Sequence, residues 1–581
     1  MPRRQFPGEN VNQTVADIIV ETLRAAGARR CYGVLEDTPG AFTGAVMRSE
    51  VRWVHVRHED VGAMAAGADA MLTGQLALCA RSCGPGSLHF VNDLFESHRN
   101  RSPVVLIASQ SAWDDFGLEL LQEVDFKAIY GASNIYCDEI RTPSQARHRT
   151  MMAAQAALSR RVLAVLVVPE DVLSAKAPDQ PHVMRHTARH VMRPDDKELD
   201  AIVAALNMGN RILIYGGTGC EAVHDQVVEL AARLNAPVAR TSRAKDFLEY
   251  ENPFDVGMTG VFGFDGAEHA LMHCDTVVLL GCDFPWRKFF PTEARIVQID
   301  VDVARARRSH RVDVGVAGDI AATLDALLPR IRQRSSRHFL DETLVHARNG
   351  FSRQERQAVA GTSGTIQPQY LAKLVARHAQ HDAVFAADAG TPMVWCLRHV
   401  PATGQNRTLC SLPHATMAAA MPQALGAQAA FPDRQVVSMS SDRGLAMSLG
   451  DLITTVQGQL PVKVVVFNNS ALGFVGLEQK AGKQPRVYTH LDNPDFSRIA
   501  EAIGMWSLRV EEPAKLDAAV QAWLAEPGPA LLDVVTNRHE LVTPPAVHTG
   551  KVLGKVLYSP KALLGGGAEQ GFELVNGAMI E

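Results

Sequence analysis

Short runs rich in Val, Ile and Leu alternate with longer stretches of helical period along most of this chain, and few folds accommodate that alternation. Strands buried on both faces read as unbroken apolar runs, whereas half-solvated strands alternate apolar with polar. A helical stretch between consecutive runs is the crossover that a parallel pair requires. The pattern predicts the α/β class, with parallel sheets covered by helices on both faces.

The alternation falls into three blocks. In the first, the expected strands are residues 31–34, 76–79, 104–108 and 162–168. In the second they are 212–215, 276–280 and 296–300, with a helix over 223–234. In the third they are 383–386, 435–442, 462–469 and 531–535. Residues 176–196, polar and Pro-containing, read as a linker, and the charged stretch 332–365 as a second linker with some helix. Three doubly wound parallel-sheet domains follow, over 10–180, 195–335 and 365–540, then a Gly-rich tail over 541–581. A chain of 581 residues is too long for one core, which agrees with this division.

With 46% hydrophobic residues, 21% charged residues and a net charge of −5, the composition is that of an ordinary globular protein without a nucleic-acid footprint. The nine cysteines are scattered, with no CxxC and no Cys/His ligand spacing, which predicts a reducing compartment and no zinc site. No apolar run approaches the ~18 residues of a membrane span. Met1-Pro-Arg-Arg-Gln5 lacks the apolar stretch of a secretory signal. The expected location is cytoplasmic.

Asp442 and Asn469 end two successive apolar runs, 27 residues apart. With a crossover helix over 444–460, both side chains would stand at the carboxyl ends of neighbouring strands, where open α/β sheets bind ligands. A carboxylate and an amide beside a diphosphate suit Mg²⁺, a hard cation held by few protein oxygens plus phosphate and water. A turn residue and a loop residue would give the same spacing. Glu59 stands at the mouth of a small-residue helix, as a dipole partner or as a catalytic group. Ser82-Cys-Gly-Pro-Gly-Ser87 suits tight packing and ligand approach equally. Gly217 and Gly219, in Tyr215-Gly-Gly-Thr-Gly-Cys220, read as a tight turn or as a phosphate turn.

These segments coincide with a known family. Arg57-His-Glu-Asp60, Ser82-Cys-Gly-Pro-Gly86, Ser97-His-Arg-Asn100, Asp255-Val-Gly-Met-Thr-Gly260, residues 421–428 and residues 460–470 carry the resemblance. Over residues 12–545 the chain resembles thiamine diphosphate enzymes of the pyruvate oxidase and acetohydroxyacid synthase group, and within it the quinone-linked pyruvate oxidases. The resemblance implies that Glu59 hydrogen-bonds the aminopyrimidine N1′ and that Met417 props the cofactor in its bent form. It implies that Asp442, Asn469 and the Ala471 carbonyl hold Mg²⁺, with Arg443 and Gly444 in the same loop. Asp388, Gly390 and Thr391 would lie near the cofactor and Gln122 near the active-site entrance. Gly217, Gly219, Thr259, Phe284 and Asp300 match FAD-binding segments, and Phe474 and Glu478 the substrate and electron-relay region. The implied reaction is oxidative decarboxylation of a 2-oxo acid, pyruvate to acetate and CO₂, with electrons passed to a quinone or another acceptor. The cofactor would lie between two chains, so that a homodimer is the smallest active unit and a homotetramer the expected assembly.

The chain departs from that family at several points. Ser441-Asp-Arg-Gly444 replaces Gly-Asp-Gly, and Leu121 and Asp125 replace an aromatic residue and a histidine near the expected entrance. In the tail, Pro560 and Gly565-Gly-Gly567 interrupt helix, leaving a flexible lid or a peripheral attachment to the inner face of the cell membrane as its readings. The alternatives to the oxidase are a non-oxidative decarboxylase or carboligase, and a catalytically silent paralogue whose metal loop no longer holds the cofactor.

Overall fold

The computed structural model describes residues 13–35, 40–81, 84–131, 135–178, 191–260, 262–282, 290–291, 293–302, 311–359, 364–481, 485 and 487–538. They form three six-stranded sheets in which all strand pairs are parallel. The first contains β1 (Arg30–Gly33), β2 (Arg52–His55), β3 (Ala77–Arg81), β4 (Val104–Gln110), β5 (Tyr136–Glu139) and β6 (Leu163–Pro169). The second contains β7 (Ile212–Gly216), β8 (Val238–Arg240), β9 (Asp255–Met258), β10 (Thr276–Leu280), β11 (Arg295–Asp300) and β12 (Val314–Ala317). The third contains β13 (Val384–Ala387), β14 (Arg407–Cys410), β15 (Val436–Ser441), β16 (Lys463–Asn468), β17 (Trp506–Val510) and β18 (Ala530–Val535).

The first sheet runs β2-β1-β3-β4-β6-β5, and the third repeats that order position for position as β14-β13-β15-β16-β18-β17. The second runs β12-β11-β10-β7-β8-β9, which read from its other edge is the doubly wound order 3-2-1-4-5-6. The apolar central strands explain why the sheets form: every residue of β4, β6, β10 and β16 is buried, as strands covered on both faces must be.

Each strand expected from the sequence is present. Seven others, β2, β5, β8, β9, β12, β14 and β17, complete the sheets. The crossover expected over 444–460 is not one helix. It is divided into helix Asp442–Met447, a turn at Leu449–Asp451 and helix Leu452–Gln457. At the break the Asp451 carboxylate accepts from the Arg57 amide at 2.8 Å and from the Thr454 hydroxyl at 2.7 Å, tying this crossover to the first domain. The second linker carries the 20-residue helix His338–Gln357. Most of the first linker and the whole 541–581 tail lie outside the described residues.

The first and third domains share one core. Helix Glu59–Thr73 crosses helix Ala420–Ala430 so closely that a Cβ on Gly426 would fall on the Ala65 carbonyl. Small residues on both helices permit that approach.

Candidate active site

In an open parallel sheet a crevice forms outside the carboxyl ends of the strands, where the chain reverses its progress across the sheet. The strand orders put these points between β1 and β3, between β7 and β10, and between β13 and β15. Candidate residues gather at all three.

At the first crevice, Glu59 opens helix Glu59–Thr73 and is only 2% exposed. A carboxylate there is favoured by the helix dipole. His89, from the first turns of helix Pro85–Arg99, hydrogen-bonds Glu59 Oε2 through Nδ1 at 2.9 Å, and His58 stacks on His89 with centroids 4.7 Å apart. Arg81, the last residue of β3, lies against Glu59. Desolvation, with help from His58 and Arg81, holds His89 below the usual imidazole range, which favours the neutral ring. Gln122 reaches the same turn: a Cβ on Gly84 (φ +83°) would lie 2.5 Å from Gln122 Cβ, and Gln122 itself has φ +63°. Leu121 is 90% exposed. Ser82 and Cys83 lie outside the described residues.

The third crevice is bridged by Asp388, which follows β13. Its Oδ1 accepts from the Ala420 amide at 2.9 Å, and its Oδ2 accepts from the Ser441 amide at 2.9 Å and the Ser441 hydroxyl at 3.0 Å. Asp388 is thus a clamp joining the end of β15 to the start of helix Ala420–Ala430. A Cβ on Gly444 would strike its carboxylate, so a glycine is required at that position. Ser441 also accepts from the Gly444 amide at 2.9 Å and caps helix Asp442–Met447, which gives the departure from Gly-Asp-Gly a structural role. The Arg443 side chain is exposed.

Asp442 is buried, and its Oδ2 accepts from the Ser470 amide and from Asn493 Nδ2, each at 2.8 Å. Burial pushes its carboxyl above the usual range, and these donors oppose that shift. Asn469 Oδ1 accepts from the Ala471 amide at 3.0 Å. The Ser470 bond thus holds the Asp442 carboxylate against the turn that carries Asn469 and Ala471. Two donors fill Asp442 Oδ2, whereas Asp442 Oδ1, Asn469 Oδ1 and the Ala471 carbonyl each accept one amide, from Arg443, Ala471 and Gly473, and each keeps one acceptor site for a cation; an all-oxygen donor set fits Mg²⁺.

Gly390 (φ +142°) caps helix Thr391–His399, so Thr391 opens a helix at this crevice. Met417 is 39% exposed on a loop whose flanking residues, Ala415 (φ 59°) and Ala418 (φ 62°), are both left-handed. Non-glycine residues held in that region cost about 1–3 kcal/mol each, so the surrounding structure fixes this loop. The loop is fastened to the His89 helix: Ser411 donates to Glu96 at 2.7 Å, and Asn92 donates to Thr416 at 3.4 Å. The exposed apolar side chain of Met417 and the buried carboxylate of Glu59 at a helix start are each of the kind an aminopyrimidine cofactor needs, a prop and a proton partner.

At the central crevice, Gly217 and Gly219 follow β7 and pack against Gly281, which follows β10. A Cβ on Gly219 would lie 2.7 Å from Gly281 Cα. The two loops pack backbone to backbone at these glycines, with the Cys282 side chain against Gly217, so no other residue type fits there. Asp300 ends the next strand, β11, and accepts from the Asp302 amide at 3.0 Å. Thr259 shares a 2.8 Å hydrogen bond with Tyr215. Phe284 lies outside the described residues, as does the Glu478 side chain. Phe474 meets the central-domain Phe262 edge to face, with centroids 5.5 Å apart.

Sequence reasoning did not anticipate Arg81, His89, Asn493 or Asp451. For His89 a signal existed, since it sits one turn into the helix fed by the Gly-Pro-Gly turn. The others depend on side chains meeting across long stretches of chain.

Family models match all three domains: the N-terminal TPP binding domain of thiamine pyrophosphate enzymes over residues 13–129, their central domain over 199–327 and their C-terminal TPP binding domain over 388–534. An uncharacterized 42.6 kDa protein in the isoamylase 3′ region of Pseudomonas amyloderamosa is 40% identical over 340 residues, 58% of this chain and 86% of that protein. Pyruvate oxidase of Lactiplantibacillus plantarum is 29% identical over 536 residues, 89% of this chain and 87% of the oxidase. The acetolactate synthase large subunit of Parasynechococcus marenigrum is 29% identical over 577 residues, 94% of this chain and 92% of the synthase. With three matching domains in order, each on a parallel six-stranded sheet, the chain belongs to the thiamine pyrophosphate enzyme family, in the group that holds pyruvate oxidase and acetolactate synthase.

Proposed function

We propose that the protein decarboxylates a 2-oxo acid oxidatively, pyruvate to acetate and CO₂, using thiamine diphosphate, Mg²⁺ and FAD and passing electrons to a quinone. The observation that carries the flavin half of this reading is the central sheet. Its strand order is the one that binds dinucleotides, and its switch point is lined by Gly217, Gly219 and Gly281. The Phe262–Phe474 pair supports it further, because it joins the loop beyond Thr259 to the third domain.

When bound, thiamine diphosphate supplies an electron sink for decarboxylation and FAD a two-electron acceptor. The protein's own part is positioning. Glu59 Oε1 would hold the proton partner at N1′, while His89 fixes the other carboxylate oxygen. Met417 would support the bent cofactor from its apolar side. Asp442, Asn469 and the Ala471 carbonyl would hold Mg²⁺ against the diphosphate, and Gln122 would line the entrance for the acid. A second copy of the chain belongs to the same reading, as the partner that completes each site.

Carboligation of two acyl units is the second reading. It is favoured by the acetolactate synthase relative, which matches more of this chain than the pyruvate oxidase does at equal identity. Purified protein is incubated with pyruvate and a soluble electron acceptor, with and without thiamine diphosphate and Mg²⁺. A flavin absorbance band and cofactor-dependent acceptor reduction are expected. Acetolactate from a protein that leaves the acceptor oxidised would favour the second reading, and no consumption of pyruvate would overturn both.

A further inference from the structure

Met417 stands between two left-handed non-glycine residues, Ala415 and Ala418, and such residues persist only where their surroundings hold them. The hydrogen bonds of this loop lead into the first domain. Ser411, fully buried just beyond β14, accepts from the Thr416 amide at 2.9 Å and donates to Glu96 Oε2 at 2.7 Å. The two bonds fix each other, because a hydroxyl committed to the carboxylate turns its lone pairs, not its hydrogen, toward Thr416. Glu96 lies in helix Pro85–Arg99 and is 2% exposed, with Asn100 donating to its other oxygen. Burial pushes its carboxyl above the usual range; the Ser411 and Asn100 donors and the nearby Arg243 and Arg99 oppose that shift. One turn earlier on the same face, Asn92 donates to the Thr416 hydroxyl at 3.4 Å and meets His414 Nε2 at 3.1 Å. Those contacts are long and open to water, so the buried carboxylate is the stronger hold.

We propose that Glu96 is a positioning residue for the cofactor: through Ser411 and Thr416 it holds the Met417 side chain where it would support the bent thiamine diphosphate. Glu96 is buried and acts only through that relay. In a loop without the relay the supporting conformation is one of several, and the apparent affinity for the cofactor falls with the fraction of time it is occupied. This inference rests on the thiamine diphosphate reading above.

The test is calorimetric titration of the full-length protein with thiamine diphosphate and Mg²⁺, with inorganic pyrophosphate and Mg²⁺ as the parallel ligand. Wild type is compared with Glu96→Ala, Glu96→Gln and Ser411→Ala, the last removing a single oxygen in case Glu96→Ala folds poorly. Glutamine keeps an acceptor for Ser411, and its NH₂ faces Asn100, whose Oδ1 is without a partner among the described residues and meets it when the amide turns over. The two alanine variants are expected to bind thiamine diphosphate about tenfold more weakly than wild type, the effect of one such bond, and Glu96→Gln within about threefold of it. Pyrophosphate, which lacks the rings that Met417 would support, is expected to bind all four proteins alike. Amide exchange over residues 411–418 is expected to quicken in the alanine variants and not in Glu96→Gln. Alanine variants that bind thiamine diphosphate as wild type does overturn the assignment, as does an equal weakening of pyrophosphate or a glutamine variant as weak as alanine; the functional reading survives each of these. Failure of all four proteins to bind thiamine diphosphate overturns the functional reading and the assignment together.

Discussion

Asp388→Asn isolates the clamp across the third crevice. The aspartate accepts three hydrogen bonds while 1% exposed, from the Ala420 amide on one oxygen and from the Ser441 amide and hydroxyl on the other. Asparagine keeps the shape but has one acceptor oxygen. Turned toward Ser441, it points an NH₂ group at the Ala420 amide; turned the other way, it strands the Ser441 amide. Either orientation loses at least one charge-assisted bond, about 1.5–3 kcal/mol, and leaves a buried N–H without an acceptor, about 1–3 kcal/mol more. The expected loss is about 3–5 kcal/mol, a large part of the roughly 5–15 kcal/mol that holds a domain folded. Urea unfolding followed by tryptophan fluorescence reads it, because Trp395, Trp506 and Trp523 all lie in the third domain. Amide exchange over residues 415–420 is expected to quicken, since the clamp anchors the helix that follows Met417. A destabilisation under about 0.5 kcal/mol, the range of an ordinary surface change, would show that the clamp carries no stability.

Glu59→Gln is expected to lower turnover by about 10²-fold or more with an unchanged circular dichroism spectrum, because it removes only a proton partner; undiminished turnover would remove Glu59 from the mechanism. Asp93, 2% exposed, has its pKa pushed up to about 8 by burial, with Asp60 and Glu96 adding repulsion, from 3.8 unperturbed. The folded protein therefore holds this proton more tightly than the unfolded chain between those values. Asp93 then contributes a loss of stability as pH rises from about 4 to 8, at most about 1.4 kcal/mol per pH unit. Asp93→Asn is expected to remove that slope, so its stability relative to wild type should climb with pH in denaturant titrations; a pH-independent difference would refute the assignment. Gly426→Val drives a Cβ bearing two methyl groups into the Ala65 backbone, and about 1–3 kcal/mol or more of overpacking strain is expected in thermal unfolding. An unchanged Tm would mean that the helices separate freely.

The parts of the fold legible in the sequence are those buried on both faces. Strands such as β4 and β16 have no exposed residue and announce themselves as apolar runs. The strands that escaped notice include all six sheet edges. There one side meets solvent or a loop, so segments such as Arg52–His55 and Trp506–Val510 mix charged and polar residues with apolar ones. The crossover after Asp442 was legible as helical but not as broken, because the break is held by a bond from Asp451 to Arg57, 394 residues away in the chain. The same limit applies at the sites. Asp442 and Asn469 could be placed at strand ends from their spacing alone. The Arg81 and His89 contacts on Glu59 and the Asn493 clip on Asp442 all need three-dimensional proximity that no spacing encodes.

The central claim is that Asp442 and its neighbouring turn hold a metal-bound thiamine diphosphate. Its most direct test is equilibrium binding of thiamine diphosphate to wild type and to Asp442→Ala, with Mg²⁺ present and then removed by a chelator. The account predicts saturable binding at one cofactor per chain in the wild type, lost on chelation and lost in the variant. Binding that survives both chelation and the substitution, or no binding by the wild type, would contradict it.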